Sequence, residues 1–381
     1  MEKIQKRRIS ARGAVMSGIK PPYKVPSMAE IEAIPWNGYN VVSTFSGGGG
    51  SCLGYRMAGY KVLWANEFVE EAQRTYRANH PDTILNTKDI RTVTVEEILA
   101  EIGRSAGEID LFDGSPPCCA FSTAGQREKG WNKDHLYSDG KSQQIENLFF
   151  EYIRLLKGLQ PKTFVAENVS GLVKGTALGY FKEFLREMKN CGYNVKAKLL
   201  NAKWLGVPQS RERLIFVGVR NDIGIEPVHP KPLPYFYTLK EAFEGLPEER
   251  EEKDRLIEEY ARYRNGTVLK MIPKNPPRAI KGSKVMNGSY FNLSRESFYQ
   301  PCSTICQMNG QKGTAGNCHP TEDRKFTISE LKRITSLPDD FILTGEYPQR
   351  WERAGRMVPP IMMKHIAETI QKEVLDKCKT T

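Results

Sequence analysis

Four times between residues 40 and 168, a short apolar, β-branched run stops at glycine, proline or an acid and gives way to a helical pattern. This alternation constrains the chain more than any other feature. Strands separated by helices lie parallel in one sheet and are covered on both faces, so the expected fold is α/β with a doubly wound, mostly parallel sheet. The first run, Asn40-Val41-Val42-Ser43-Thr44-Phe45, enters Ser46-Gly47-Gly48-Gly49-Gly50 and a helix over 53–58. The second covers 61–65, ends at Asn66-Glu67, and precedes helices over 69–79 and 96–102. The third, Ile109-Asp110-Leu111-Phe112-Asp113, stops at Gly114-Ser115-Pro116-Pro117. A helix over 145–156, a strand over 163–166 ending at Glu167-Asn168, a helix over 181–188 and strands over 195–200 and 214–219 continue the pattern.

After Arg220 prolines, charged clusters and polar loops dominate to about residue 325, which reads as a smaller, irregular domain (221–325) set into a larger one (39–220). A helix over 327–336, with Ser329 as a cap candidate, and a long amphipathic helix over 359–376 form a closing segment, 326–381. Residues 1–38, with Lys3, Lys6, Arg7, Arg8 and Arg12 ahead of Pro21, Pro22 and Pro26, read as a flexible basic arm and an extended lead-in. The arm lacks the apolar stretch of a secretory signal, and no run of 18 apolar residues occurs, so an intracellular protein without a membrane span is expected. A net charge of +11 suits a polyanion, because Lys and Arg displace the counterions condensed on phosphates. Eight cysteines in 381 residues do not form a disulfide framework. Cys302, Cys306, Cys318 and His319 match no paired CxxC spacing, and no metal is expected.

Four stations carry chemistry. The glycine turn after the first strand lets a ligand approach the backbone, and Glu67 at the next strand end can take ribose hydroxyls. The full GxGxxG spacing of a dinucleotide site is absent. Asp89-Ile90 adds an acid near the strand ends, which serves equally as a helix cap. Cys118, in Pro116-Pro117-Cys118-Cys119, sits at the functional edge of the sheet, where a thiolate can attack a substrate. The polar, glycine-bearing stretch 125–140 behind it has the composition of a lid. Glu167 ends the next strand, facing the same cleft or pairing locally. In Gln209-Ser210-Arg211-Glu212-Arg213 the two arginines fall on one face, suited to phosphate or base oxygens.

In this order the stations resemble the cytosine-C5 DNA methyltransferase family, over nearly the whole chain from about residue 38. The resemblance extends to Leu331-Lys332-Arg333-Ile334-Thr335-Ser336-Leu337-Pro338-Asp339-Asp340-Phe341 and to Gly355-Arg356-Met357-Val358-Pro359-Pro360, which is similar to the family's Gly-Asn-x-Val-x-Pro. It implies a sheet of the S-adenosylmethionine-dependent methyltransferase type and places a target-recognition domain at 221–325. By resemblance Cys118 is the nucleophile that attacks cytosine C6, Glu167 contacts N3 and the amine, Arg213 contacts O2, and Arg211 supports the loop or a phosphate. For S-adenosylmethionine the resemblance implies Phe45 on one adenine face and Phe68 on the other. Gly47 and Gly49 lie along the methionine, Glu67 on the ribose and Asp89 on the adenine amine, with Ile90, Pro116, Arg356 and Val358 completing the site. The implied partner is double-stranded DNA with one cytosine flipped from the stack, met by a monomer, bacterial or phage-encoded, in the cytoplasm at the nucleoid.

Two positions depart from the family's commonest pattern. Cys119 replaces a Gln, which leaves thiol and turn intact. Arg356 replaces an Asn beside a cationic donor, an unfavourable placement unless an anion is near. Either that anion is the extra carboxylate of carboxy-S-adenosylmethionine, giving 5-carboxymethylcytosine, or Arg356 turns outward or pairs with the ordinary methionine carboxylate or a nearby acid. An RNA cytosine methyltransferase and a non-catalytic DNA-binding relative are the other readings. The long 221–325 segment favours DNA, and the intact Cys118, Glu167 and Arg213 favour catalysis.

Overall fold

The computed structural model describes residues 20–117, 135–136, 142–143 and 147–378. Among these, the main sheet has seven strands: β1 (Asn40–Thr44), β2 (Lys61–Asn66), β3 (Ile84–Asn86), β4 (Leu111–Gly114), β5 (Thr163–Val169), β6 (Tyr193–Asn201) and β7 (Glu212–Arg220). Their order is β3-β2-β1-β4-β5-β7-β6, parallel throughout except that β7 runs antiparallel to both its neighbours. The order reverses at β1, which lies between β2 and β4. In open α/β sheets, ligands bind beyond the carboxyl ends of the strands at such a reversal. Here those ends carry the glycine turn and Pro116.

Alternation along the strands explains how both faces are buried. Val42, Phe112, Phe164 and Phe216 point into one core, under the helices Leu148–Leu159 and Leu178–Asn190. Their neighbours Val41, Leu111, Val165, Ile215 and Val217 point into the other. That second core is closed by Met362, Met363 and Ile366 of the helix Pro360–Ile370, so the end of the chain covers its beginning. A Cβ on Gly54 would stand 2.6 Å from the Met363 Cβ, which is how closely the C-terminal helix crosses the helix Gly50–Met57.

Several expectations change. β3 has only three residues and carries no periodic signal. The helix after the glycine turn starts at Gly50, inside the run, because the turn itself supplies its first residue. The cap of the helix Ile328–Ile334 is Thr327, which forms a reciprocal capping box with Glu330; Ser329 Oγ instead donates to Glu249. The closing helix continues past Ile370 through a π-turn, Gln371–Leu375.

The irregular segment contains the helices Arg250–Ala261 and Arg264–Lys270. It also has a small core of its own around Tyr260, Val268, Leu269, Ile272, Leu293 and Cys318. Arg295 is fully buried there and donates to the carbonyls of Leu269, Ile272, His319 and Glu322 and to Asp323. Cys318 belongs to this core and Cys302 to another, and among the described residues no group of His, Cys, Asp and Glu could hold a metal ion.

The lead-in is held from residue 20 onward rather than loose. Prolines keep it extended, and Tyr23 donates its hydroxyl to Arg333 O while Tyr237 donates to Pro21 O. The helix Met28–Glu32, capped by Ser27 and Glu30, places Ile31 in a core.

Candidate active site

The turn between β1 and the helix Gly50–Met57 begins at Phe45, a non-glycine residue at φ 54°, followed by Gly47 at φ 57° and Gly49 at φ 93°. A Cβ on Gly49 would stand 2.3 Å from His80 Nε2, and one on Gly50 would stand 2.4 Å from the carbonyl oxygen of Val358. Gly47 differs: a Cβ there would meet no atom within 4 Å, so its side of the turn opens on free space. The Gly47 amide donates to Glu67 Oε2 at 2.8 Å, and the Val69 amide donates to Glu67 Oε1 at 2.6 Å. Burial pushes the Glu67 carboxyl up, opposed by those amides and by the charges of Arg353 and Arg356. Each carboxylate oxygen keeps lone pairs for further donors. An open glycine face beside an oriented, buried carboxylate therefore fits a nucleoside with free ribose hydroxyls.

Around this turn, Phe68 packs half-buried against Val69 and Ala72. Asp89 Oδ1 accepts from the Arg91 amide at 3.1 Å, capping the 3-10 turn Ile90–Thr92. The Ile90 side chain is buried in the core, and its carbonyl accepts from Arg154. Val358 is buried with its carbonyl above Gly50. Arg356 Nε lies 3.0 Å from Glu352 Oε1, an oxygen that also has Arg353 Nη2 at 2.9 Å. The anion that Arg356 demanded is thus a nearby acid of its own helix, Tyr347–Arg356. One carboxylate answers two guanidiniums, and Arg356 has an anion without a carboxylated donor.

The second half of the site lies across the strand reversal. Arg213 on β7 and Glu167 on β5 sit one diagonal step apart in the antiparallel ladder, and Arg213 Nε is 2.6 Å from Glu167 Oε1. Both side chains are mostly buried. Asn168 Nδ2 makes a long contact of 3.5 Å with Pro116 O, so the end of β5 touches the turn leaving β4. Cys118 and Cys119, and the expected lid at 125–140, lie outside the described residues apart from residues 135–136. Arg211, expected to support the loop or a phosphate, contacts main chain here. It is buried and donates to Gly355 O at 2.9 Å, Ile305 O at 3.3 Å and Arg356 O at 3.4 Å. Burial and the neighbouring Arg213 charge both pull on its proton. Its partners are main-chain carbonyls, and it braces the segment that covers the glycine turn.

One group escaped the sequence reading. Asp113, at the inner end of β4, accepts from Ser43 Oγ at 2.8 Å and from the Tyr55 hydroxyl at 3.0 Å. Burial pushes its carboxyl up to about 7, and the Glu167 charge adds to the rise. An acid ending a buried apolar run was the available signal.

The doubly wound, seven-stranded sheet, with one antiparallel strand and an open glycine face at its reversal, is of the S-adenosylmethionine-dependent methyltransferase type. Solved structures agree on the fold. A putative DNA modification methyltransferase encoded within an E. coli prophage superposes with a TM-score of 0.67 at 21% identity, over 89% of this chain and 99% of that one. Spodoptera frugiperda DNMT2, in a mutant form, gives 0.60 at 18% identity, over 90% and 100%. The chain belongs to the C-5 cytosine-specific DNA methylase family, which it matches over residues 39–372. It is similar to the type II methyltransferase M.NgoFVII of Neisseria gonorrhoeae, at 30% identity over 87% of this chain and 86% of that protein. It is likewise similar to M.Sau96I of Staphylococcus aureus, at 30% identity over 91% and 79%.

Proposed function

We propose that this protein methylates C5 of cytosine in double-stranded DNA, with S-adenosylmethionine as donor and Cys118 as nucleophile. The Glu167–Arg213 pair carries the reading: an oriented, mostly buried carboxylate held at 2.6 Å beside the turn that leads to the cysteine. Cytosine C5 is a weak nucleophile while the ring is aromatic. Attack of the Cys118 thiolate on C6 forms an Sγ–C6 bond and moves the ring electrons toward N3, where Glu167 supports the incoming proton. The resulting enamine is nucleophilic at C5. Arg213 orients Glu167 and offers its outer N–H groups to the base O2. After C5 has been alkylated, loss of its proton and expulsion of the thiolate restore the aromatic ring and the free Cys118. When bound, the donor supplies an electrophilic methyl carbon; Glu67, Phe45, Phe68, Asp89 and the Gly47 face would hold it.

The base must leave the stack to reach Cys118, so the reading includes base flipping. Residues 39–220 and 326–381 form the catalytic body, and 221–325 read the target. The bacterial type II relatives support a role in DNA modification, and the reading places the protein, as a monomer, in the cytoplasm at the nucleoid. Glu352 gives Arg356 an anion within the protein, shared with Arg353, which supports methyl as the transferred group. Mass spectrometry of nucleosides from duplex DNA incubated with the protein and S-adenosylmethionine tests the reading. It predicts 5-methylcytosine with wild type and none with C118A; modified RNA alone, or no product, would refute it.

A further inference from the structure

From residue 261 to residue 295 the chain carries eight Lys and Arg and no Asp or Glu. The helix just before it, Arg250–Ala261, is rich in acids, so this is a local separation of charge rather than the overall basic excess. Within the basic stretch the strands Ile280–Lys281 and Ser294–Arg295 pair antiparallel, and between them the chain turns through a sharp corner. The Leu293 amide donates to Tyr290 O at 3.1 Å, which makes Phe291 and Asn292 the two corner residues. Both are exposed, Phe291 to 64%.

The corner is rigid at its base. Leu293 is in the small core, Tyr290 packs against it, and Tyr290 itself holds φ 60°. Any Cβ on Gly282 would stand 2.8 Å from the Tyr290 Cβ, so the two arms of the turn are in close contact. Lys281 Nζ sits 3.5 Å from the centre of the Phe291 ring, and Arg278 and Lys284 are exposed nearby in sequence.

A single exposed aromatic is ordinary. An exposed aromatic next to an amide, at the tip of a braced corner, with only positive charge in the surrounding sequence, is matched to a polyanion that presents stackable and hydrogen-bonding bases. We propose that the Phe291–Asn292 corner enters a groove of the DNA duplex and sets target specificity, while Arg278, Lys281 and Lys284 grip the flanking phosphates. This rests on the DNA-methyltransferase reading but assigns specificity to named residues that the reading leaves open.

Two measurements on the full chain test it. The first is donor-free binding to a labelled mixed-sequence duplex over a range of salt. R278Q/K281Q/K284Q should flatten the slope of log Kd against log salt by about 2–3, near 0.9 for each lost phosphate contact. The second is the sequence context of methylated cytosines in DNA from a methylation-free host expressing F291A or N292A. Each variant should relax at least one base position, with discrimination there falling about tenfold, while the wild type keeps one context. All five positions are exposed, so thermal unfolding should match wild type and serves as the folding control. An unchanged salt slope together with an unchanged context would overturn the proposal and leave the corner to a protein partner. If the wild type methylates nothing while the slope still falls, the activity reading fails and the DNA surface stands.

Discussion

Glu167 and Asp113 are both buried carboxyls near the carboxyl edge of the sheet, yet their surroundings assign them different work. Glu167 has a guanidinium at 2.6 Å, which fixes its direction. E167Q keeps the shape but removes the charge, so kcat should fall by roughly 10²-fold or more while donor binding is unchanged, as read by steady-state rates and calorimetry. Among the described residues Asp113 has two hydroxyl partners and no cation, so burial dominates and its carboxyl rises to about 7. Its folded value lies above the unfolded one. Its contribution to stability is therefore fully present below about pH 4 and is lost as pH rises through about 7. Denaturant titrations of wild type and D113N should show the wild-type advantage shrinking by a few kcal/mol between pH 4 and pH 8. A constant difference would mean that Asp113 is already ionised. Arg356 belongs to the same scale. The sequence shows an arginine where the family's commonest pattern has Asn, but not that it pairs with Glu352, four residues earlier on the same helix, an acid it shares with Arg353. R356N should leave methyl as the transferred group.

At the scale of elements, the glycine turn shows why sequence patterns read some parts well. β1, the turn and the next helix are defined by local chemistry: β-branched residues, then positive φ angles, then a helix packed so closely that only glycine fits. Gly50→Ala weighs two opposed effects. Alanine favours the helix by about 1 kcal/mol. Its Cβ, however, would stand 2.4 Å from the Val358 carbonyl, a backbone atom that no side-chain rotation can move. Overpacking of this kind costs about 1–3 kcal/mol, so G50A should melt at a lower temperature and bind S-adenosylmethionine more weakly. The irregular segment 221–325 was not legible in this way. Its helix Arg250–Ala261 buries only Leu256 and Tyr260, too sparse a stripe to stand out from its charges. Arg295, the residue that ties that lobe together, bonds to carbonyls brought in from positions 269–272 and 319–322, partners that no sequence window contains. The misassigned cap at Ser329 has the opposite cause: two hydroxyls two residues apart both satisfy the pattern, and the Glu three residues after Thr327 decides between them.

At the scale of the whole molecule, the order of segments along the chain is also an order of dependence. The sheet is built between residues 40 and 220, yet one of its faces is finished only by residues 360–375. Met362, Met363, Ile366 and Ile370 are fully buried on that face. At about 1.5–3 kcal/mol each, they contribute together about 6–12 kcal/mol, comparable to the whole stability of an ordinary domain. A chain ending at residue 359 should therefore fail to fold, seen as lost near-ultraviolet dichroism; a folded, donor-binding truncation would contradict this packing. The same return places Met357 and Val358 over the glycine turn and sets Arg211 against Gly355 and Arg356, so the glycine turn and the C-terminal segment form one structure. The central claim is the covalent step, and DNA carrying 5-fluorocytosine in place of cytosine tests it most directly, because fluorine cannot leave as the C5 proton does. With S-adenosylmethionine present, the account predicts a denaturation-stable protein–DNA complex whose linked peptide carries the base on Cys118, and no complex with C118S. A linkage at Cys119, or methylation of ordinary DNA by C118S, would contradict it.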